Sequence, residues 1–167
     1  MGNSVKIRKY QSEDLEQCRA LWKELTDWHR EIYQDPTIGG AHPEQYFDKH
    51  LAEIGPDSLW VAVHDSQVVG LTGLIVKGEG AKIEPVIVSK SYRGKGIGKE
   101  LVQTAINQAR NKGTRFLNVE PVARNIHAIV FFYKQGFTKI GQIELFIDFS
   151  DCAWKSGLEL FGCTFDY

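Results

Sequence analysis

Tyr92-Arg93-Gly94-Lys95-Gly96-Ile97-Gly98-Lys99 lies between the apolar run Val86-Ile87-Val88 and a helical pattern from Lys99 to Lys112. A β-branched run, a glycine-rich basic turn and an amphipathic helix, in that order, gather backbone N–H groups at a helix N-terminus, where phosphate binds. The spacing excludes two common phosphate loops. A Walker loop requires Gly-x-x-x-x-Gly-Lys-Ser/Thr, and Gly98-Lys99 is followed by Glu100, which offers no hydroxyl to magnesium. A dinucleotide fingerprint requires Gly-x-Gly-x-x-Gly, whereas Gly94, Gly96 and Gly98 recur at every second residue.

Upstream of this turn, Val5 to Tyr10 alternates like a half-buried strand, and Ser12 with Glu13, Asp14 and Glu16 marks a helix start with acids in its positive first turn. Leu15, Cys18, Leu21, Trp22, Leu25 and Trp28 then recur at three- and four-residue steps, one apolar stripe of a helix. A breaker-rich loop follows, and Pro43-Glu44 opens a short helix that stops before Gly55-Pro56. Leu59 to Val63 and Val68 to Val76 flank Asp65-Ser66-Gln67 as an antiparallel hairpin, and Ala81 to Val88 is a third strand. Downstream, Leu101, Val102, Ala105, Ile106 and Ala109 line one face of a helix ending near Lys112-Gly113, and Phe116 to Val119 returns as a strand. Strand, helix and strand make a right-handed βαβ unit with parallel strands. Asn125 to Gln135 reads as a helix, Thr138 to Phe149 as two terminal strands, and Leu158 to Phe161 as a strand for a sheet edge or a second subunit.

The tripeptide Glu-Pro-Val occurs twice, as Glu84-Pro85-Val86 and as Glu120-Pro121-Val122, once on each strand of the βαβ unit. Proline lacks an N–H, so it belongs at an edge, at a bulge, or where strands part.

A chain of 167 residues, 43% apolar and with a formal charge of −1, has the size of one domain with a proper core. We expect a single domain over residues 1–167. Near-neutral charge speaks against a nucleic-acid binder, while Lys90, Arg93, Lys95 and Lys99 form a local basic patch suited to a polyanion. Cys18, Cys152 and Cys163 have neither metal-ligand nor redox spacing, and no leader opens the chain, which points to the cytoplasm. No apolar run approaches the roughly 20 residues needed to cross a bilayer, so no membrane partner is expected. His29 and His42 are too far apart to propose a metal.

Arg93-x-x-Gly96-x-Gly98 resembles the acetyl-CoA pyrophosphate loop of the GNAT superfamily of N-acetyltransferases, Gln/Arg-x-x-Gly-x-Gly/Ala. A second stretch agrees in order and distance: Asn125-x-x-Ala128-x-x-Phe131-Phe132-Tyr133-x-x-Gly136-Phe137. The resemblance covers about residues 4 to 149, which it marks as the core of the domain, with 150–167 as an extension. It implies a mixed, mostly antiparallel α/β sheet of six or seven strands, with a central parallel βαβ unit and helices on both faces. It implies acetyl-CoA as donor and a small-molecule, peptide or protein amine as acceptor; a homodimer stays open. By the same resemblance, the two strands of the βαβ unit splay and admit the pantetheine arm beside Val86, Ile87 and Val88. The backbone across Arg93, Gly94, Lys95, Gly96, Ile97, Gly98 and Lys99 binds the pyrophosphate, and Asn125 contacts the arm.

Acetyl transfer to an amine needs a base, because an alkyl ammonium has a pKa near 10.4. Glu84 and Glu120 are the candidates: alternation puts Glu84, Val86 and Val88 on one strand face, and Glu120 ends the parallel partner. The sequence does not separate them. Many family members carry a Tyr four residues before the Gly of Gly-Phe as general acid, and here that position is Phe132. Tyr133 lies one position, about 100°, further round the helix and serves only if the helix turns. The missing acid supports an alternative, a catalytically weak CoA-binding regulatory module. Trp28, His29, Tyr33 and His42, with Asp27, Glu31 and Asp35 nearby, would suit a cationic acceptor.

Overall fold

A computed structural model describes residues 4–150 and 153–167. Cys152 lies outside the described residues. The chain divides into two compact units, Met1–Glu120 and Pro121–Tyr167.

The first unit is built on a five-stranded sheet in sequence order, β1 (Lys6–Lys9), β2 (Leu59–His64), β3 (Gln67–Lys77), β4 (Gly80–Val88) and β5 (Phe116–Asn118). Neighbours are antiparallel except β4 and β5, which run parallel. The expected α/β class holds, with two differences. The sheet has five strands rather than six or seven, because Thr138 to Phe149 forms no strand. The parallel pair also lies at one edge of the order rather than at its centre.

Helices α1 (Leu15–Tyr33) and α2 (Gln45–Ile54) cover one face and α3 (Ile97–Asn111) the other. Adjacent residues of β2 show why: Val61 clusters with Cys18, Leu21 and Phe47, whereas Ala62 clusters with Ile97 and Leu101. Leu15, Cys18, Leu21, Trp22 and Leu25 all enter the first cluster, so the stripe legible in the sequence is the face α1 buries. Each large apolar side chain buried this way contributes about 1.5–3 kcal/mol. Cys18 is fully buried, and burial pushes its thiol up to about 12, which makes it core and not a nucleophile.

Entry to α1 differs from the simple cap expected at Ser12. Ser12–Asp14 is a 3₁₀ turn, and the buried Asp14 carboxylate accepts Gln11 N–H at 2.9 Å and Arg8 Nη1 at 2.6 Å. The hairpin between β2 and β3 turns at Asp65 and Ser66 (φ 48° and 64°), left-handed conformations suited to a tight two-residue turn.

One irregularity in the β3–β4 ladder positions the site. Leu74 pairs with Ile83 and Thr72 with Val86, so Glu84 and Pro85 together oppose Gly73. The repeated proline thus falls at a bulge, where a missing N–H breaks no rung. A Cβ on Gly73 would sit 2.4 Å from the Glu84 carbonyl oxygen, so only glycine fits there. The bulge also corrects the simple alternation. Thr72 and Leu74 share a face, so their partners Val86 and Ile83 share it too, and Glu84 turns to the side of α1 and α2. There the Glu84 carbonyl meets Nε2 of the buried His50, 3.0 Å away.

The second unit contains α4 (Ile126–Lys134) and a hairpin of β6 (Ser156–Leu160) and β7 (Cys163–Asp166). The strand expected near Leu158 forms and pairs with β7 of its own chain. Arg124 ties this unit together, donating to the carbonyls of Tyr167 (2.9 Å) and Ala153 (2.6 Å).

Candidate active site

Strands β4 and β5 pair over three residues only, Gly80↔Phe116, Ala81↔Leu117 and Lys82↔Asn118, and then part. Past that point β4 keeps its other neighbour, and Ser89 N–H donates to Val69 O at 2.9 Å. Bonding direction alternates along a strand, so the backbone groups of Val88 and Val86 point away from β3, to the side on which β5 has ended. Val86, Ile87 and Val88 thus form a strand segment with one edge uncovered by β5. Ile87 sends its side chain into the core with Leu71, and Val88 packs against Ile97 and Leu101.

The same strand leads into the glycine-rich turn. Gly94 (φ +76°) and Gly96 (φ +85°) are left-handed, with nothing within 4 Å of where a Cβ would stand. Gly96 caps α3, and the first bond back into that helix is Glu100 N–H to Gly96 O, 3.2 Å. The N–H groups of Ile97, Gly98 and Lys99 precede any intrahelical partner. Backbone donors, a helix dipole and the open space over two glycines form an anion cradle. Lys95 stands over the Tyr92 ring, 4.7 Å from its centroid, at the rim of an open pocket of about 400 Å³. Arg93 points elsewhere: its Nε donates to the Val88 carbonyl at 2.9 Å.

Glu84 and Glu120, inseparable in the sequence, are joined through a residue that sequence reasoning missed. Lys82 Nζ lies 2.5 Å from Glu84 Oε2 and 3.2 Å from Glu120 Oε2, and Asn118 Nδ2 donates to Glu120 Oε1 at 3.0 Å. The bond to Glu84 raises the Lys82 ammonium above its ordinary value, with Glu120 adding to it, against a smaller opposing effect of burial. Glu120 is the more open of the two, 63% exposed against 41%. The missed signal was present: Lys82 and Glu84 are two apart on a strand and so project to one face.

In the second unit, Asn125 Oδ1 accepts the N–H of Ala128 at 3.1 Å, capping α4. Ile129 N–H bonds to Asn125 O, so the first turn is α-helical rather than tightened. Phe132 stacks edge-on against Phe131 and Phe137, while Tyr133, one step round, is 64% exposed.

The aromatic and acidic side chains near the end of α1 are only partly as expected. Trp22 is core, against Phe47 and His50. His29 is half-buried, and burial lowers its pKa. Asp27 is held by Lys23 (2.5 Å) and Arg30 (2.9 Å), so its charge is already paired, while Asp35 Oδ1 accepts the N–H and hydroxyl of Thr37. His42 lies 3.2 Å from Glu44. Among the described residues there is no group of three or more His, Cys, Asp or Glu that could hold a metal, and no helix is long and apolar enough to cross a membrane.

Comparison with known proteins agrees with this geometry. Residues 22–137 match the model of the acetyltransferase (GNAT) family. A peptidyl-lysine N-acetyltransferase of Salmonella typhimurium is 30% identical over 143 residues, covering 84% of this chain and 88% of that protein. N-acetyltransferase 8B of Rattus norvegicus is 36% identical over 99 residues, 56% of this chain; the match spans 44% of that relative's length. Among solved structures, the PaiA N-acetyltransferase of Thermoplasma acidophilum in complex with coenzyme A superimposes with a TM-score of 0.71 at 23% identity, over 85% of this chain and 94% of that one.

Proposed function

This chain belongs to the GNAT family of acetyltransferases, and on that premise we propose that it moves an acetyl group from acetyl-CoA to a primary amine by direct attack in a ternary complex. One observation carries the reading: the open edge of β4 at Val86–Val88 runs straight into the glycine-opened N-terminus of α3. An extended arm ending in a pyrophosphate needs that sequence of surfaces. The family match runs across the division between the two units, which supports both serving one acetyltransferase domain.

In this reading the N–H groups from Gly94 to Lys99 hold the pyrophosphate, and the outward backbone of Val86 and Val88 pairs with the pantetheine arm. Within the second unit Asn125 caps α4 through its Oδ1, which leaves its Nδ2 as the group for the arm contact that the resemblance assigns to it. When bound, acetyl-CoA supplies an activated thioester. Holding donor and amine together supplies much of the catalysis, since effective molarity is worth roughly 7–11 kcal/mol. Glu120 accepts the proton of the incoming ammonium at its exposed carboxylate, and Lys82 with Asn118 fixes that carboxylate in place. Glu84 is the second candidate base, half-exposed and more closely bound to Lys82. The acceptor is a small-molecule amine or a peptide amine; the Salmonella relative, named for peptidyl-lysine, supports the latter.

A thiol-release assay with acetyl-CoA across small amines and lysine peptides tests the proposal. Turnover is expected with at least one acceptor class, and Glu120→Gln should lower it by about 10²–10⁴, more than Glu84→Gln does. Phe132 at the usual acid position favours a second reading, a CoA-binding module without turnover. Tight CoA binding with no thiol release for any acceptor would select that reading.

A further inference from the structure

Arg93 opens the glycine-rich turn, and its partly exposed side chain reaches toward α1. Its Nε donates to Val88 O at 2.9 Å, its guanidinium lies 5.8 Å from the Trp28 ring centroid, and its Nη2 stands 3.7 Å from Glu24 Oε1. The same Glu24 oxygen accepts the backbone N–H of Lys90 at 2.5 Å. Glu24 and Trp28 are four residues apart on α1 and so project on one helix face. That face therefore grips the turn twice, once through the backbone of Lys90 and once through the Arg93 side chain, and Arg93 passes the hold on to the last residue of β4.

We propose that Glu24 and Trp28 are positioning residues for the donor loop: through Lys90 and Arg93 they fix the turn from Val88 to Gly96 in the shape that receives the cofactor's pyrophosphate. An acid in this place is otherwise hard to understand. A carboxylate beside a loop meant for a polyanion repels the ligand at long range, and one that served no other end would weaken binding. The cost is offset because the charged acceptor ties down a turn whose glycines give it little stiffness of its own. Arg93 then acts as a strut rather than as a phosphate ligand, and the phosphates are left to the backbone N–H groups and to Lys95 and Lys99. The inference rests on the assignment of residues 93–99 as the pyrophosphate loop.

The sign of one measurement decides it. Calorimetric titration with CoA is run on wild type, Glu24→Ala, Glu24→Gln and Gly96→Val, each with its thermal midpoint. If Glu24 positions the loop, Glu24→Ala weakens CoA binding about tenfold or more, the scale of a lost charge-assisted hydrogen bond. Glu24→Gln, which keeps an oxygen for Lys90 N–H, recovers part of that loss, and the thermal midpoints stay within a few degrees of wild type. If Glu24 is only a nearby charge, both substitutions leave CoA affinity unchanged or improve it, and the inference is overturned. Should Gly96→Val also bind CoA as wild type does, the loop assignment itself has failed; loss of affinity in Gly96→Val alone overturns the positioning role and leaves the loop standing.

Discussion

The unit up to Glu120 and the unit from Pro121 onward treat apolar side chains in opposite ways. In the first, Phe47, Leu59, Val61, Leu71 and Leu101 are wholly buried. In the second, Ile147, Phe149 and Phe161 are 78%, 95% and 82% exposed. Composition does not explain the contrast, since both are rich in aromatic and β-branched residues. Partners do. β2 and β3 each have a strand on either side and helices on both faces, whereas residues 138–149, apolar at alternate positions as a strand would be, join no ladder. Amphipathic alternation states what a segment could bury; a pairing partner decides whether it does.

Substitutions on each side of the division sharpen this contrast. Phe47→Ala, in the middle of the α1–α2 cluster, should cost about 3–5 kcal/mol in urea unfolding, because it removes a fully buried ring and leaves a cavity. A loss below about 1 kcal/mol would mean that the core repacks freely.

Asp14→Asn should cost about 1–3 kcal/mol by breaking the paired bonds to Arg8. Burial alone would raise the Asp14 carboxyl, but the hydrogen bond from Arg8, the N–H of Gln11 and the charge of Arg8 outweigh it and hold the group below the usual range. A depressed folded-state value means the contribution is complete above the unfolded value of about 3.9 and drains away as pH falls through the folded one. Thermal midpoints below about pH 4 should therefore fall less steeply in Asp14→Asn than in wild type.

Tyr133→Phe should slow kcat by less than about tenfold, since α4 starts as a regular α-helix and Phe132 occupies the position where the family's acid stands. A hundredfold loss with unchanged stability would make Tyr133 the acid. Smallest of all, Ile147→Ser should stay within about 0.5 kcal/mol of wild type, as an exposed position outside any ladder does. A loss as large as that of Phe47→Ala would show that the segment is buried in solution and remove the contrast.

Much of the first unit was legible because its signals are local. The stripe from Leu15 to Leu25, the turn at Asp65-Ser66 and the glycines before α3 each depend on residues within one turn or one helix. The parting of β4 from β5 could be anticipated from the doubled proline for the same reason. A bulge was among the places open to the proline, but the change of face it brings could not be read, because the parity of Glu84, Pro85 and Val86 is set by Gly73, which becomes their neighbour only by pairing. Lys82 escaped notice for a related reason: it looks like an ordinary surface residue until Glu84 of its own strand and Glu120, beyond the end of β5, converge on it. The grip of Glu24 on Lys90 spans 66 residues and left no trace in any local pattern.

The Glu84–Pro85 bulge also acts as a change of phase in the strand. Before it, even-numbered residues of β4 look toward α1 and α2; after it, odd-numbered ones do, as Lys82 and Ile87 show. β4 is thus two half-strands written in opposite reading frames and joined at a proline. Losing one residue at the junction would erase the change of phase and leave Ile87 opposite Leu71 in the core, whereas losing one between the junction and Ile87 would act as a frameshift acts on a message, turning Ile87 out of the core and Val88 into it.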